Sequence, residues 1–173
     1  LFLEGRSNDA SGSVVCACLE GNRPILVEVQ ALVAKTPYGM PRRTAVGFDY
    51  NRVTMLLAIL ERRLGMDFGA YDAYVNVVGG MRVTEPAADL AVAAALVSSY
   101  RNRPIPHGVL VMGEVGLTGE VRRIGSPERR IKDAMNLGFK RFVLPMGKLS
   151  LDEPCNGIVQ VKTLEEALDK VFA

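Results

Sequence analysis

The chain has 173 residues, of which 49% are hydrophobic and 23% are charged, and its formal net charge is +2. This length suits one domain or two very small ones, and the apolar content excludes disorder over most of the chain. Three cysteines exclude a disulfide scaffold, and no apolar run reaches the roughly 18–20 residues that span a bilayer. Cysteine usage and the lack of a signal-peptide pattern favour a cytoplasmic location.

The first half of the chain predicts a sheet with one helix. Residues 1–12 are polar after the first three, which predicts a flexible lead-in, and the start at Leu1 suggests a piece of a longer protein. Asp49 is a typical helix N-cap, and apolar residues at 3 and 4 spacing predict a helix over 50–64 that Gly65 ends. β-branched and apolar runs predict strands over 13–19, 24–33, 44–48 and 70–78, the last of them buried.

The second half alternates strands and helices. A helix over 86–100 is apolar on nearly every side, so it is predicted to lie at the centre of the core. Thr163 and Glu166 form a capping-box pattern at the last helix. The other predicted elements are strands over 107–114, 120–124, 142–144 and 157–161, and helices over 127–137 and 163–172. Residues 13–173 are therefore predicted to form one mixed α/β (α+β) domain.

Reactive side chains are few, and each has a plain structural interpretation. His107 follows two prolines and is predicted to be a loop or surface residue. Cys16 and Cys18 share one face of a strand and are predicted to be small buried hydrophobes, whereas Cys155 is predicted to be an exposed thiol. No helix is predicted directly after the glycine-rich segment 113–119, which favours a hairpin with glycine turns over a phosphate-binding loop. The sequence also has no P-loop motif and no metal-ligand pattern.

Arginine outnumbers lysine by 15 to 6, and several arginines form doublets. One interpretation is a solvated surface with salt bridges. The other is a surface that faces phosphate groups or another subunit, because arginine pairs bidentately with phosphate and carboxylate. The composition leaves both interpretations open.

Four segments carry a family resemblance: 22–33, 41–63, 74–99 and 113–125. Together they resemble the C-terminal domain of the RadA (Sms) family of bacterial DNA-repair proteins, which in turn resembles the proteolytic domain of Lon. The resemblance implies a ribosomal protein S5 domain 2-like fold. It also implies that a zinc finger and a RecA-like ATPase precede residues 1–12. ATP, Mg and Zn are accordingly expected only in those parts, with no cofactor in this sequence.

Lon-type peptidases use a serine at a helix start and a lysine about forty residues later. At the matching positions this sequence has Ala87 and Glu128, so the resemblance implies a degenerate site without catalytic residues. Ser126 and Lys132 are the only nearby substitutes, and Ser126 lies on the lysine's turn rather than at the nucleophile's helix start. An active Ser–Lys peptidase is therefore the least favoured alternative.

The resemblance implies a non-catalytic domain of a DNA-dependent ATPase that performs branch migration during recombination. The domain is expected to assemble a homo-oligomer, in the form of a hexameric ring, and to bind single- or double-stranded DNA through phosphate contacts. RecA is a further candidate partner, and no membrane contact is expected. A pure oligomerisation scaffold without DNA contact is the alternative. The candidate DNA-binding residues are Arg42, Arg43, Arg101, Arg103, Arg122, Arg123, Arg129, Arg130 and Lys132.

Overall fold

A computed structural model of the chain describes residues 3, 5–7 and 9–173. The predicted hairpin is confirmed: β1 (Ser13–Glu20) and β2 (Arg23–Lys35) pair antiparallel. Within the lead-in, Arg6 Nε donates to Ser13 Oγ at 3.2 Å. Residues 1, 2, 4 and 8 lie outside the described residues, and the flexible lead-in stays a prediction.

The next elements are β3 (Arg43–Val46), α1 (Tyr50–Leu64) and β4 (Tyr71–Val77). The predicted ends of α1 are confirmed, because Asp49 Oδ1 accepts a hydrogen bond from the Asn51 N–H and Gly65 adopts the left-handed conformation. The expectation of a fully buried strand over 70–78 is wrong. Tyr74 and Asn76 are exposed, because this part of the sheet carries helices on one face only.

The central helix begins with a 3-10 turn, Pro86–Ala88, and continues as α2 (Asp89–Arg101). Every residue of α2 from Asp89 to Ser98 is buried, which confirms that this helix lies at the centre of the core. Its largely apolar surface is needed because neighbours surround it on all sides.

The predicted strand over 107–114 is interrupted. It forms β5 (Val109–Val111) and then β6 (Glu114–Val115), which pairs antiparallel with β7 (Val121–Arg122) in the predicted glycine hairpin. Between β5 and β6, the Gly113 N–H and carbonyl both bond to the start of α2 instead of to a strand. This contact between distant segments ends β5 early.

The chain closes with α3 (Pro127–Asn136), β8 (Arg141–Pro145), β9 (Ile158–Val161) and α4 (Leu164–Phe172). Thr163 Oγ1 accepts from the Glu166 N–H at 3.1 Å, which confirms the predicted cap of α4. The seven-stranded sheet has the order β3-β4-β2-β1-β5-β8-β9, so β3 and β9 are its two edges. Four of its six pairings, β1·β5, β3·β4, β5·β8 and β8·β9, are parallel.

Helices lie on both faces of the sheet, and the α/β prediction is confirmed. The core divides into two clusters: α1, α2 and α4 cover one face, while α3 covers part of the other through Ile131 and Ala134. The sheet itself thus divides the core of the predicted single domain. Among the described residues, no helix is both long and apolar enough to cross a membrane.

Candidate functional site

The first position of the expected dyad lies just before α2. Ala87 belongs to the 3-10 turn, and its side chain is buried. Its carbonyl accepts a hydrogen bond from the Gly113 N–H at 2.8 Å, and the Leu90 N–H donates to the Gly113 carbonyl at 3.0 Å. The loop after β5 therefore holds this helix start in place, but the Ala87 methyl group offers no nucleophile.

The second position lies in the first turn of α3. Glu128 is half-buried, and its Oε2 accepts a hydrogen bond from the Ser150 N–H at 3.2 Å. Ser126, the substitute nucleophile, is exposed in the left-handed conformation at the N-cap, and Lys132 is exposed on α3. Within the described part of the chain, no hydrogen bond joins Ser126 to Lys132. The geometry therefore does not assemble a nucleophile with its base.

A buried ion pair joins the two segments that hold these positions, and we call it the Glu85–Arg130 clamp. Arg130 Nη1 lies 2.6 Å from Glu85 Oε1, and Nη2 lies 3.0 Å from Oε2, a bidentate arrangement. The Arg130 side chain is only 2% exposed, and that of Glu85 is 22% exposed. Glu85 stands two residues before Ala87, and Arg130 stands two residues after Glu128, so the clamp ties the two helix starts together.

Backbone groups complete the coordination of the clamp. Arg130 Nη1 also donates to the Ala17 carbonyl at 2.8 Å, and Nε donates to the Gly125 carbonyl at 2.9 Å. Glu85 Oε1 accepts from the Leu19 N–H at 2.9 Å. These bonds anchor both charged groups to β1 and satisfy donors that burial would otherwise leave without a partner. Arg130 is therefore held inside the domain, and its side chain leaves little surface for the DNA contact that the sequence predicts.

The two cysteines of β1 are buried, as predicted, with their Sγ atoms 3.4 Å apart. The contact with Cys18 and complete burial raise the pKa of the Cys16 thiol well above its ordinary value. Both effects favour the uncharged thiol, which is the unreactive form. Cys155 is half-buried against the cluster under α3, so the prediction of an exposed thiol is only partly met.

A second ion pair connects α1 to the start of α2. Arg52 Nε donates to Asp89 Oδ1 at 2.7 Å, its Nη2 contacts Asp89 Oδ2, and the Val115 N–H donates to Oδ2 at 3.1 Å. Burial raises the pKa of the Asp89 carboxyl, although these hydrogen bonds act in the opposite direction. The pair therefore places a charged group in the core and positions the β6–β7 hairpin against α2.

Some of the candidate DNA-binding arginines at β3 and at the end of α2 form hydrogen bonds with backbone carbonyls of the domain itself. The Arg43 guanidinium donates to the Tyr71 carbonyl and, at 2.9 Å, to the Phe68 carbonyl, whereas Arg42 is exposed. Arg103 Nη2 donates to the Phe172 carbonyl at 3.1 Å, and its guanidinium lies over the Phe172 ring. Arg101 is exposed beside it.

A second basic region follows β7 and α3. Arg122 pairs with Glu120 at 3.0 Å but remains 61% exposed, and Arg123 is exposed at the rim of an open groove of about 260 Å³. Lys148, which sequence reasoning did not single out, lines the same groove. Arg122 lines an adjoining open groove together with Arg123. We call these three side chains the groove cations: Arg122, Arg123 and Lys148. On α3, Arg129 Nη1 donates to the Asn22 carbonyl at 2.7 Å, and Lys132 is exposed.

Comparison with known proteins identifies the family of this chain. The family model described as "Subunit ChlI of Mg-chelatase" matches residues 29–148. The DNA repair protein RadA of Pseudomonas aeruginosa is 49% identical over 173 residues, which is 99% of this chain and 38% of that protein. The RadA proteins of Halalkalibacterium halodurans and Bacillus subtilis are each 47% identical, over 98% and 97% of this chain and 37% of their own length.

The chain is a ChlI-family domain of the RadA type. The sequence resemblance to RadA is thereby confirmed, and the chain spans less than two fifths of the length of these relatives. Among the described residues of this RadA-type domain, no group of three or more His, Cys, Asp and Glu side chains is placed to hold a metal ion.

Two ion pairs of the RadA-type domain escaped sequence reasoning. Glu85 was visible as the residue before a helix-starting proline, but its partner Arg130 lies 45 residues away. Asp89 and Arg52 are 37 residues apart, and neither spacing forms a motif. An acidic residue inside an otherwise apolar helix was the one available signal for Asp89, because buried charges are almost always paired.

Proposed function

We propose that this chain is a non-catalytic Lon-like domain of a RadA-type DNA repair and recombination ATPase, where it helps assemble a ring and binds DNA. The whole protein would carry out branch migration of recombination intermediates in the cytoplasm, with RecA as a candidate partner. ATP, Mg and Zn would be bound by parts of the protein outside these residues. The homology to RadA supports the DNA repair role.

The observation that supports DNA binding is the groove cations Arg122, Arg123 and Lys148. Arg123 and Lys148 leave positive charge exposed at one open groove, and Arg122 lines an adjoining groove, whereas Arg43, Arg103 and Arg130 donate hydrogen bonds to backbone carbonyls. Phosphate contacts of this kind are independent of base sequence and weaken with salt. No tryptophan is present in the sequence, so a surface built mainly for base stacking is less well supported.

The support for a non-catalytic role is the Glu85–Arg130 clamp together with Ala87 and Glu128. The clamp joins the two segments that hold the helix starts, and its two charges are paired with each other. A serine nucleophile would need a neutral base within hydrogen-bond reach, and neither position supplies its half of that pair.

Charge reversal of Arg123 tests DNA binding by the 173-residue chain. We expect Arg123→Glu to weaken binding to a fluorescent oligonucleotide, measured by anisotropy across a salt series. The slope of log affinity against log salt should fall by about one per lost phosphate contact. Lys170→Glu is the matched control, because Lys170 is exposed near the far end of α4 and makes the same change in charge. Equal loss in both variants would mean that net charge alone drives binding.

The two alternatives have their own outcomes. If the chain is an oligomer that shows no salt-dependent DNA binding, it acts as a scaffold only. If the pure chain hydrolyses an unfolded protein and Ser126→Ala abolishes that activity, the domain is a peptidase after all. We expect neither result.

A further inference from the structure

The groove beside Arg123 and Lys148 has an apolar floor. Its volume is about 260 Å³, and six of the side chains that line it are apolar. Leu144 belongs to the buried cluster under α3, and Ile124 and Leu149 are packed against that cluster, so the floor is the margin of the core where it reaches solvent. We call this set the groove floor, and it consists of Ile124, Pro127, Leu144, Pro145, Met146 and Leu149.

The two cations of this groove are held at its rim by a fixed turn. A Cβ placed at Gly147 would lie 3.6 Å from Arg123 Nε, so the Arg123 side chain lies against the residue that precedes Lys148. Gln160 Nε2 donates to the Gly147 carbonyl at 2.7 Å and to the Pro145 carbonyl at 3.3 Å, which fixes the turn after β8. Neither Arg123 nor Lys148 forms a salt bridge within the described part of the chain. The groove therefore joins two unpaired positive charges to an apolar surface.

Two further grooves continue this one, and their charges differ. The groove on one side has a volume of about 510 Å³, shares Arg123 and Met146 with the first, and is also lined by Arg122 and Glu114. The groove on the other side has a volume of about 400 Å³ and shares Glu128 with the first. Its other charged side chains are Asp133, Asp152, Glu153, Arg129 and Lys132. A polyanion is therefore drawn to the Arg122 side and repelled from the Glu128 side, where acids outnumber cations by four to two.

Glu128 is the acidic residue within the first groove itself. Its Oε2 accepts a hydrogen bond from the Ser150 N–H at 3.2 Å. Glu128 also lines the acidic groove, whereas Arg123 lines the groove on the other side, so the carboxylate and the guanidinium stand at different ends. A ligand therefore finds one favourable end for an anionic group, beside Arg123 and Lys148, and its neutral part extends along the groove floor.

These features match one unpaired nucleotide better than an intact duplex. In a duplex the bases are stacked inside, so only phosphates reach the cations and the groove floor stays in water. A nucleotide without a pairing partner offers both a phosphate and a flat base to the same site. The groove is smaller than the pockets of about 300–1,000 Å³ that hold drug-sized ligands, so it accepts one group of this size.

We propose that this groove binds one unpaired nucleotide of a DNA strand, with a phosphate between Arg123 and Lys148 and the base against the groove floor. The base packs on aliphatic side chains, so the contact requires no aromatic ring. This inference rests on the DNA binding proposed above and deepens it, because it names unpaired DNA as the preferred form. Duplex DNA contacts only the cations of the same site.

A change of the groove floor that leaves the charge unaltered gives the first test. Met146 is 43% exposed and lines two of the grooves, so Met146→Asn places a polar group where the base packs. In fluorescence anisotropy with the 173-residue chain, we expect this variant to bind a single-stranded oligonucleotide about fivefold more weakly. Its binding to the duplex of the same sequence should change by less than about twofold. Met55→Asn is the matched control, because Met55 is 37% exposed on α1 and lines none of the three grooves.

The salt dependence and an abasic strand separate the base contact from the phosphate contact. Met146→Asn removes no phosphate contact, so the slope of log affinity against log salt should stay as in the unaltered chain, whereas Arg123→Glu lowers it. A single strand of abasic sites keeps its phosphates but has no bases. We expect the unaltered chain and Met146→Asn to bind that strand equally.

The outcomes separate this inference from the proposed function. If the unaltered chain binds neither strand nor duplex, the proposed DNA binding fails and this inference fails with it. If Arg123→Glu weakens binding but Met146→Asn leaves it unchanged, DNA binding stands and the base contact is overturned. Complete displacement of the strand by an equal concentration of free deoxycytidine monophosphate would identify a free nucleotide as the ligand and also overturn the inference. Far-UV circular dichroism shows whether each variant is folded, and Met146→Gln takes the place of Met146→Asn if the latter is not.

Discussion

Removal of Glu85 is the most direct perturbation of the clamp. In Glu85→Ala, the Arg130 guanidinium keeps its bonds to the Ala17 and Gly125 carbonyls but loses the carboxylate that neutralises it. Its side chain is only 2% exposed, so water cannot replace the lost partner. The Leu19 N–H loses its acceptor in the same variant. The folded state is thus left with a buried charge that has no counter-ion.

The expected loss of stability in Glu85→Ala follows from the exposed fractions of the two side chains. Removing one partner of a buried ion pair destabilises a protein by about 3–5 kcal/mol. Because the Glu85 side chain is 22% exposed, solvent screens part of the interaction, and we expect the lower end, about 3 kcal/mol. For a chain of this length that corresponds to a fall of about 6–12 °C in Tm.

Urea unfolding followed by far-UV circular dichroism measures the effect, at one protein concentration because assembly adds to apparent stability. Arg122→Met is the control: its pair with Glu120 is largely exposed, so a change within about 0.5 kcal/mol is expected. The double variant Glu85→Leu/Arg130→Met replaces both charges with apolar groups and should be more stable than Glu85→Ala. A double-mutant cycle through Glu85→Leu and Arg130→Met should give a coupling energy above about 1 kcal/mol.

Two results would refute the reasoning. One is a loss in Glu85→Ala no larger than that in Arg122→Met, which would mean that Arg130 finds solvent or another partner. The other is strict additivity of the two single changes in the cycle. Either result would show that the clamp does not hold the two helix starts together.

Two further predictions concern local geometry. The pKa of Glu120 is lowered to about 2, mainly by the hydrogen bond from the Thr118 hydroxyl and then by its own backbone N–H and by Arg122. Thr118→Ala should therefore raise the pKa of Glu120 toward 4.5 in a carboxyl NMR titration. The stabilisation from Glu120 is complete above pH 4.5 and is lost as the pH falls through about 2; an unchanged titration would contradict the assignment. A Cβ at Gly157 would overlap the Lys140 carbonyl, so Gly157→Ala should destabilise the domain by about 1–3 kcal/mol in thermal unfolding. Gly125→Ala, with open space around its Cβ, should change stability by less than about 0.5 kcal/mol, and equal effects would count against the overlap.

Local signals predicted the helix ends well. The caps at Asp49, Gly65 and Thr163 act on backbone groups within a few residues, so the sequence around each cap contains all the information needed. The prediction of one continuous strand over 107–114 was wrong because the deciding contacts are not local. Its interruption depends on hydrogen bonds between Gly113 and the start of α2, which no window of neighbouring residues contains.

The candidate site divides in the same way. That Ala87 and Glu128 replace a serine and a lysine can be read from the residues themselves, because a side chain without the required group cannot supply it in any fold. Which arginines remain free could not be read, because the answer depends on acceptors from distant segments. Arg43 donates to the carbonyl of Phe68, before β4, and to that of Tyr71, the first residue of β4. Lys148 reaches its groove only because the chain after β8 returns beside Arg123.

Arg129 and Arg130 show where the limit lies. The sequence by itself determined that both are permanently charged, that they stand in the first half of a helix, and that helical geometry turns their side chains roughly 100° apart. Only the tertiary structure decided that Arg130 points inward, because Glu85 and the Ala17 carbonyl lie on that side of α3 and bind its guanidinium. A buried charge is stable only where a partner meets it, and the folded chain, not the order of residues, determines where partners meet.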